Sequence, residues 1–237
     1  GTDGRFLFAL ALGARTFIEV YLKTLAITRT MPIPASASVA GGTKLRTGRA
    51  NRLYYTDTSA ALHVYDTTTG QDLSTFLLHG SIGIESFEVT PDGNVIYARS
   101  RNVSGNSYLA RVNSNGDILT QTHTSAAVLS STGSGVSPIF ISANRDAITA
   151  GNRVFTALLE SSQSVGSDPI WAASAYGGAV LSYNRLKFSP SGSTAITLTG
   201  TNPITVAAFT QAQDALVYYL SDTQRLIRVP LTGIITL

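Results

Sequence analysis

An all-β protein made by repeating one hairpin is the fold this sequence predicts, and three observations predict it. The first is a strand–turn–strand stretch, Val89-Thr-Pro-Asp-Gly-Asn-Val-Ile-Tyr-Ala-Arg99. Near-copies begin at Gly1 and Phe188, and looser ones at Gly48, Ile141 and Phe209. The second is spacing. The first core residues after these turns, Phe6, Leu53, Val95, Ala147 and Ala195, recur at close to the roughly 40–50 residues of a four-stranded propeller blade. Leu216 follows after about half that interval. The third is composition: 13% of residues are charged, against about 25% in a typical globular chain. Serine, threonine, glycine and alanine take up the difference, which suits short strands and many turns rather than long helices.

Together these predict a β-propeller of about five to six four-stranded blades, not necessarily complete, filling 1–237 as a single domain. One four-stranded sheet cannot bury both faces, so blades must stack, each covering the next. That accounts for apolar residues on both faces of middle strands, as in Phe6-Leu7-Phe8 and Leu216-Val217-Tyr218-Tyr219. A β-sandwich fits less well, because its strands come every 8–12 residues or so without a higher period.

In chain order, the first unit spans 1–38, with strands over 5–12, 16–24 and 25–33. Alternation of Phe17, Glu19, Tyr21 and Lys23 against Ile18, Val20 and Leu22 marks a half-buried strand. Pro32 and Pro34 end the third strand, since proline cannot donate to a ladder. The second unit, 39–83, has strands over 52–57, 61–66 and 71–78. The third, 84–135, has strands over 84–90, 95–100, 108–113 and 118–124, with Asn115-Gly116 read as a type I′ hairpin turn. Gly133-Ser-Gly135 closes it as a flexible link. The fourth, 136–176, is less regular, with strands over 138–142, 146–150, 153–159 and 169–173. The fifth, 177–237, has strands over 186–189 and 194–199 flanking the Pro190-Ser-Gly192 turn, read as the counterpart of the turn at Gly93, and further strands over 204–209, 215–221 and 224–231.

Several of these segments resemble the bacterial β-propeller repeats of the YVTN and lactonase-like type. In those repeats a Ser-Pro-Asp-Gly-like turn precedes one strand, and another strand ends near an Asp and a Thr-Gly turn. Pro91-Asp92-Gly93, Ser189-Pro190-Ser191-Gly192 and Val64-Tyr65-Asp66 with Thr69-Gly70 carry the likeness, and 229–233 is a looser copy. The motifs specify blade geometry, not chemistry. The acidic and amide set with which metal-binding lactonase-like propellers line their channel has no counterpart among these residues, so the activity does not carry over residue by residue.

The bulk numbers narrow the field. A net charge of +3 is small and scattered, which disfavours nucleic acid as a partner. Arg46, Arg49 and Arg52 are the densest basic stretch, and a solvated turn is the simpler reading than a phosphate site. With no cysteine there is neither a disulfide nor a cysteine-ligated metal. No apolar run reaches the ~18 residues of a membrane span. The chain opens at Gly1 in the middle of a turn, as expected for part of a larger chain or assembly.

Candidate chemistry is sparse. His63, His79 and His123 lie apart, without metal-ligand spacing. His63 alternates with apolar neighbours and reads as packed, whereas His79, before Gly80, is the histidine expected to face a ligand. There is no nucleophile elbow, P-loop or dinucleotide fingerprint. Asn113-Ser-Asn115-Gly-Asp117 superficially resembles a calcium loop but lacks the downstream glutamate. No catalytic residue, metal ligand or cofactor is therefore expected. The expected activity is binding, through one face where loops gather His79, Arg99, Arg101, Asn102, Arg153, Trp171 and Tyr176, with Arg15 and Asn202 nearby. Arginine, tryptophan and tyrosine are the residue types that dominate interaction hot spots. The expectation is a non-catalytic scaffolding module, bacterial and extracellular or periplasmic, engaging protein or glycan. A lactonase-like hydrolase with a hidden channel site is the alternative.

Overall fold

The computed structural model describes residues 5–49, 51–59, 61–78, 81–102, 107–123, 138–189, 191–200, 202, 204, 206–210 and 212–232. Among these residues there is no helix, and so none long and apolar enough to cross a membrane. Their strands form six antiparallel sheets. The first holds β1 (Phe6–Ala11), β2 (Thr16–Tyr21) and β3 (Ala26–Pro32). The second holds β4 (Leu45–Thr47), β5 (Arg52–Thr56), β6 (Leu62–Asp66) and β7 (Gln71–Phe76). The third holds β8 (Ser81–Val89), β9 (Val95–Asn102), β10 (Ser107–Asn113) and β11 (Ile118–His123). The fourth holds β12 (Phe140–Ile141), β13 (Ala147–Ala150), β14 (Arg153–Thr156) and β15 (Ser162–Ser164). The fifth holds β16 (Ile170–Ala173), β17 (Ala179–Ser182), β18 (Arg185–Phe188) and β19 (Thr194–Thr197). The sixth holds β20 (Ala207–Phe209), β21 (Ala215–Leu220) and β22 (Arg225–Pro230). Within each sheet the strands lie in chain order, so every connection is a hairpin.

The chain divides into two compact units. One comprises Gly1–Asn106 and Ala110–Gln121, and the other Ser107–Leu109 and Thr122–Leu237. In the first unit, sheet one lays Phe17 and Met31 onto Leu53, Tyr55 and Tyr65 of sheet two. Phe17 meets both tyrosine rings edge-on at 5.1 Å, the favoured arrangement of aromatic quadrupoles. In the second unit, Val165, Ile170 and Val180 join sheets four and five. Leu181 and Leu186 of sheet five pack against Leu216 and Tyr218 of sheet six.

One turn recurs at the start of the second strand in four of the sheets. In the third sheet Thr90 N–H donates to Val95 O across it, Thr90 Oγ1 accepts the Val95 N–H at 3.1 Å, and Gly93 takes a positive φ of 73°. Ser142 and Ala147 with Arg145 repeat this in sheet four, Ser174 and Ala179 with Gly177 in sheet five, and Thr210 and Ala215 with Gln213 in sheet six. The hydroxyl replaces the missing ladder partner of the incoming N–H, which explains why Ser or Thr stands five residues before the first core residue.

Two expectations change. The strands read on either side of 190–192 are present as β18 and β19, but this hairpin is not the counterpart of the one at Gly93, because Gly192 N–H bonds Phe188 O, four residues back. The counterpart in sheet five is 174–178, between β16 and β17, so that sheet straddles the expected boundary at 176/177, and residues 177–237 hold part of sheet five and all of sheet six. At Asn115-Gly116 only Gly116 has positive φ, and Asn113 Oδ1 caps the loop by accepting the Asn115 and Asp117 N–H groups. That is an Asx-type turn rather than type I′.

Candidate functional site

In the second unit the β14–β15 hairpin and the 174–178 turn enclose a cleft of about 570 Å³. Val154, Phe155 and Ala147 supply apolar wall, while Thr156, Ser161, Ser162 and Gln163 supply hydroxyls and an amide. Tyr176 stands on the lip, 60% exposed, at the tip of its turn. Gly177 places it there: a positive φ of 72° reverses the chain immediately after Tyr176 at no cost to a residue lacking Cβ. The turn is tied on both sides, Ala143 N–H donating to Ala175 O and Ala175 N–H to Gln213 Oε1 at 2.7 Å. Asp146 is the one charged residue lining the cleft, and its carboxylate accepts from Ser142 Oγ at 3.0 Å and Asn144 Nδ2 at 2.8 Å. An apolar wall, a hydroxyl rim and a preset aromatic lip can seat a side chain or a short extended segment.

The residues expected on one loop face are distributed differently. Tyr176 lines the cleft, and Arg153 reaches its edge by donating Nε–H to Ser162 Oγ at 2.8 Å. Trp171 is on β16, toward the opposite end of that strand, and is only 8% exposed. It falls at the bulge where β16 shifts register against β17. Arg99 is not a loop residue but a buried strand residue, 1% exposed, with Nε 3.0 Å from Glu85 Oε2. An alternating strand sequence does not reveal which arginine turns inward onto a carboxylate. Arg101 and Asn102 end β9, with side chains outside the described set, and His79 lies outside the described residues altogether. Arg15, in the β1–β2 turn, donates to Ala37 O at 2.8 Å, and Asn202 is exposed.

A second arrangement, in the first unit, escaped the sequence reading. His63 on β6 is buried, with Nδ1 2.8 Å from Asp72 Oδ2 and Nε2 3.4 Å from Asp57 Oδ2. The Tyr55 ring stacks on the imidazole at 4.5 Å, and its hydroxyl donates to Asp72. Burial opposes a charged ring, but the two carboxylates outweigh it and raise the His63 pKa. Asp57 moves the other way: burial pushes it up, and the Ser59 and His63 hydrogen bonds bring it below the ordinary value. Burial, then Asp72, pushes the Tyr55 phenol upward. The signal available was Asp57 and Asp72 flanking His63 in neighbouring strands, legible only once the register pairs Tyr55 with His63.

The sequence matches no family model. No curated protein matches it either. Among solved structures, a chain in the crystal structure of the Mitotic Checkpoint Complex is similar in fold, with a TM-score of 0.69, 14% sequence identity, and coverage of 96% of this chain and 72% of that one. At that identity the likeness concerns fold alone, and it agrees with the six antiparallel sheets in making this chain an all-β, propeller-like protein.

Proposed function

We propose that this chain is a non-catalytic β-propeller module that binds protein, with each of its sheets serving as a blade, and that the Tyr176 cleft is its contact surface. The observation that carries this reading is the cleft itself: an exposed tyrosine held by a hydrogen-bonded turn, over apolar wall and hydroxyl rim. Tyrosine presents a large, amphipathic contact at low entropic cost, as interaction hot spots require. The lining contains one carboxylate and no histidine, an inventory suited to recognition rather than proton transfer. That the similar solved chain belongs to a complex is in keeping with protein as the partner class. Glycan is the other ligand class this rim could serve, and a bacterial, extracellular or periplasmic setting completes the proposal.

The test places a photo-crosslinking amino acid at position 176 and, as a control, at exposed Asp222. A discrete adduct in source-cell extract at 176 and not at 222, competed by unlabelled wild-type protein but not by Tyr176→Ala, is the expected result. Equal labelling at both positions, or glycan-array binding that survives Tyr176→Ala, would overturn it.

A further inference from the structure

Two residues of the Arg46, Arg49 and Arg52 stretch, Arg49 and Arg52, line a second and smaller cavity in the first unit. Its volume is about 220 Å³, and the β4–β5 turn, the β8–β9 turn, β7 and the β10–β11 turn converge on it. Arg49, Arg52, Asn94, Asn115 and two serines line it, with no carboxylate in the lining.

The charges around it are unequal in their pairing. Arg46 is taken up by Glu88 at 2.7 Å and Arg52 by Asp66 at 2.6 Å. The nearby Asp92 carboxylate is turned into its own loop, accepting from Thr90 Oγ1 at 2.6 Å and Asn94 N–H at 3.1 Å. Arg49 is exposed, and among the described residues its guanidinium has no acidic partner. Its backbone is nonetheless fixed. A Cβ on Gly93 would lie 2.7 Å from Arg49 Cβ and 2.6 Å from Tyr54 Oη, so the two turns are pressed together. Tyr54 locks them further by donating to Gly93 O at 3.1 Å. A cation carried on a fixed backbone beside a cavity lined by amides is prepared for an anion.

We infer that this cavity is a binding site for a phosphate monoester. Ser74 Oγ is already committed to Ser114 O at 2.8 Å, but guanidinium and amide donors come to the cavity from three separate turns, which matches an anion with three or more acceptor oxygens better than the two of a carboxylate. Leu73, 52% exposed, and Val64 form an apolar side to the same cavity and would pack the ester's organic group, favouring it over free phosphate. Arg49 is the principal anion ligand, Arg52 keeps Asp66 while lining the cavity, and Asn94 and Asn115 supply orientation.

Isothermal titration at low ionic strength with phenyl phosphate, inorganic phosphate and benzoate tests the site. Saturable binding of phenyl phosphate, tighter than either comparison ligand, is expected. Arg49→Ala should weaken it by about tenfold or more, the usual loss for a charge-assisted hydrogen bond. Arg49→Lys should recover part of that loss, and Arg153→Ala should change nothing. No saturable binding by wild type, equal affinity for benzoate, or an Arg49→Ala variant that melts normally and binds as well as wild type would each overturn the assignment. Crosslinking at position 176 is independent of Arg49, so failure here leaves the protein-binding reading to its own test.

Discussion

His63 is the residue whose environment departs furthest from what its neighbours in sequence suggest. A carboxylate faces each nitrogen of this buried imidazole, and those contacts favour its protonated form enough to raise its pKa against the cost of burial. The linkage follows from the directions of the shifts. A histidine with a raised folded pKa contributes stability that is complete below about pH 6.5 and lost as pH rises through the folded value. Asp57, with a lowered folded pKa, contributes stability present above its ordinary value near 3.8 and lost as pH falls through the folded one. The melting temperature should therefore peak in mildly acidic buffer and decline toward pH 8.5. His63→Gln should remove the alkaline decline while leaving the acidic one. A wild-type profile flat between pH 6 and 8.5 would contradict the clasp.

Elements show why the fold was more legible than its divisions. Turn composition identified the hairpins at Gly93 and Gly192 alike, yet these are different turns. At Gly93 the N–H returns to the residue three back; at Gly192, as at Gly70 and Leu25, it returns four back and joins later strands. What separates them in sequence is the Ser or Thr five residues before an apolar residue: Thr90 with Val95, Ser142 with Ala147, Ser174 with Ala179 and Thr210 with Ala215. Ser189 has Thr194 at that place. Proline beside glycine marks 91–93 and 190–192 equally, whereas the 174–178 turn has glycines but no proline and carries its signal in Ser174. The site suffered for the same reason, because Tyr176 belongs to a first-to-second-strand turn and Trp171 to the other end of β16. Two outcomes follow for stability. Ser174→Ala should cost about 1 kcal/mol by removing the acceptor of the buried Ala179 N–H. Leu25→Gly should gain about 0.5–1 kcal/mol, since leucine there is 74% exposed and occupies a left-handed φ of 55° that glycine adopts freely. Urea denaturation of each variant measures both, and a destabilised Leu25→Gly would mean that the leucine side chain contributes more than its strain costs.

At the scale of the whole molecule, the stacking principle has a consequence at the first sheet. One of its faces is committed to sheet two through Phe17 and Met31. On the other face the register sets Leu7 opposite Val20 and Val20 opposite Ile27. Leu7 is 52% and Ile27 61% exposed, so among the described residues an apolar row crosses all three strands with its outer members open to solvent. An exposed apolar row of this kind favours association. The sequence showed the row, because Leu7, Val20 and Ile27 are visibly apolar; it could not show that the row is exposed, since a middle strand in a stack reads the same way. Concentration-dependent self-association is therefore expected by sedimentation velocity. Ile27→Lys should suppress it while shifting stability by no more than about 0.5 kcal/mol, as an exposed substitution does. A wild-type sedimentation coefficient independent of concentration would show that this face does not drive association. A large stability loss in Ile27→Lys would show that the face is covered after all.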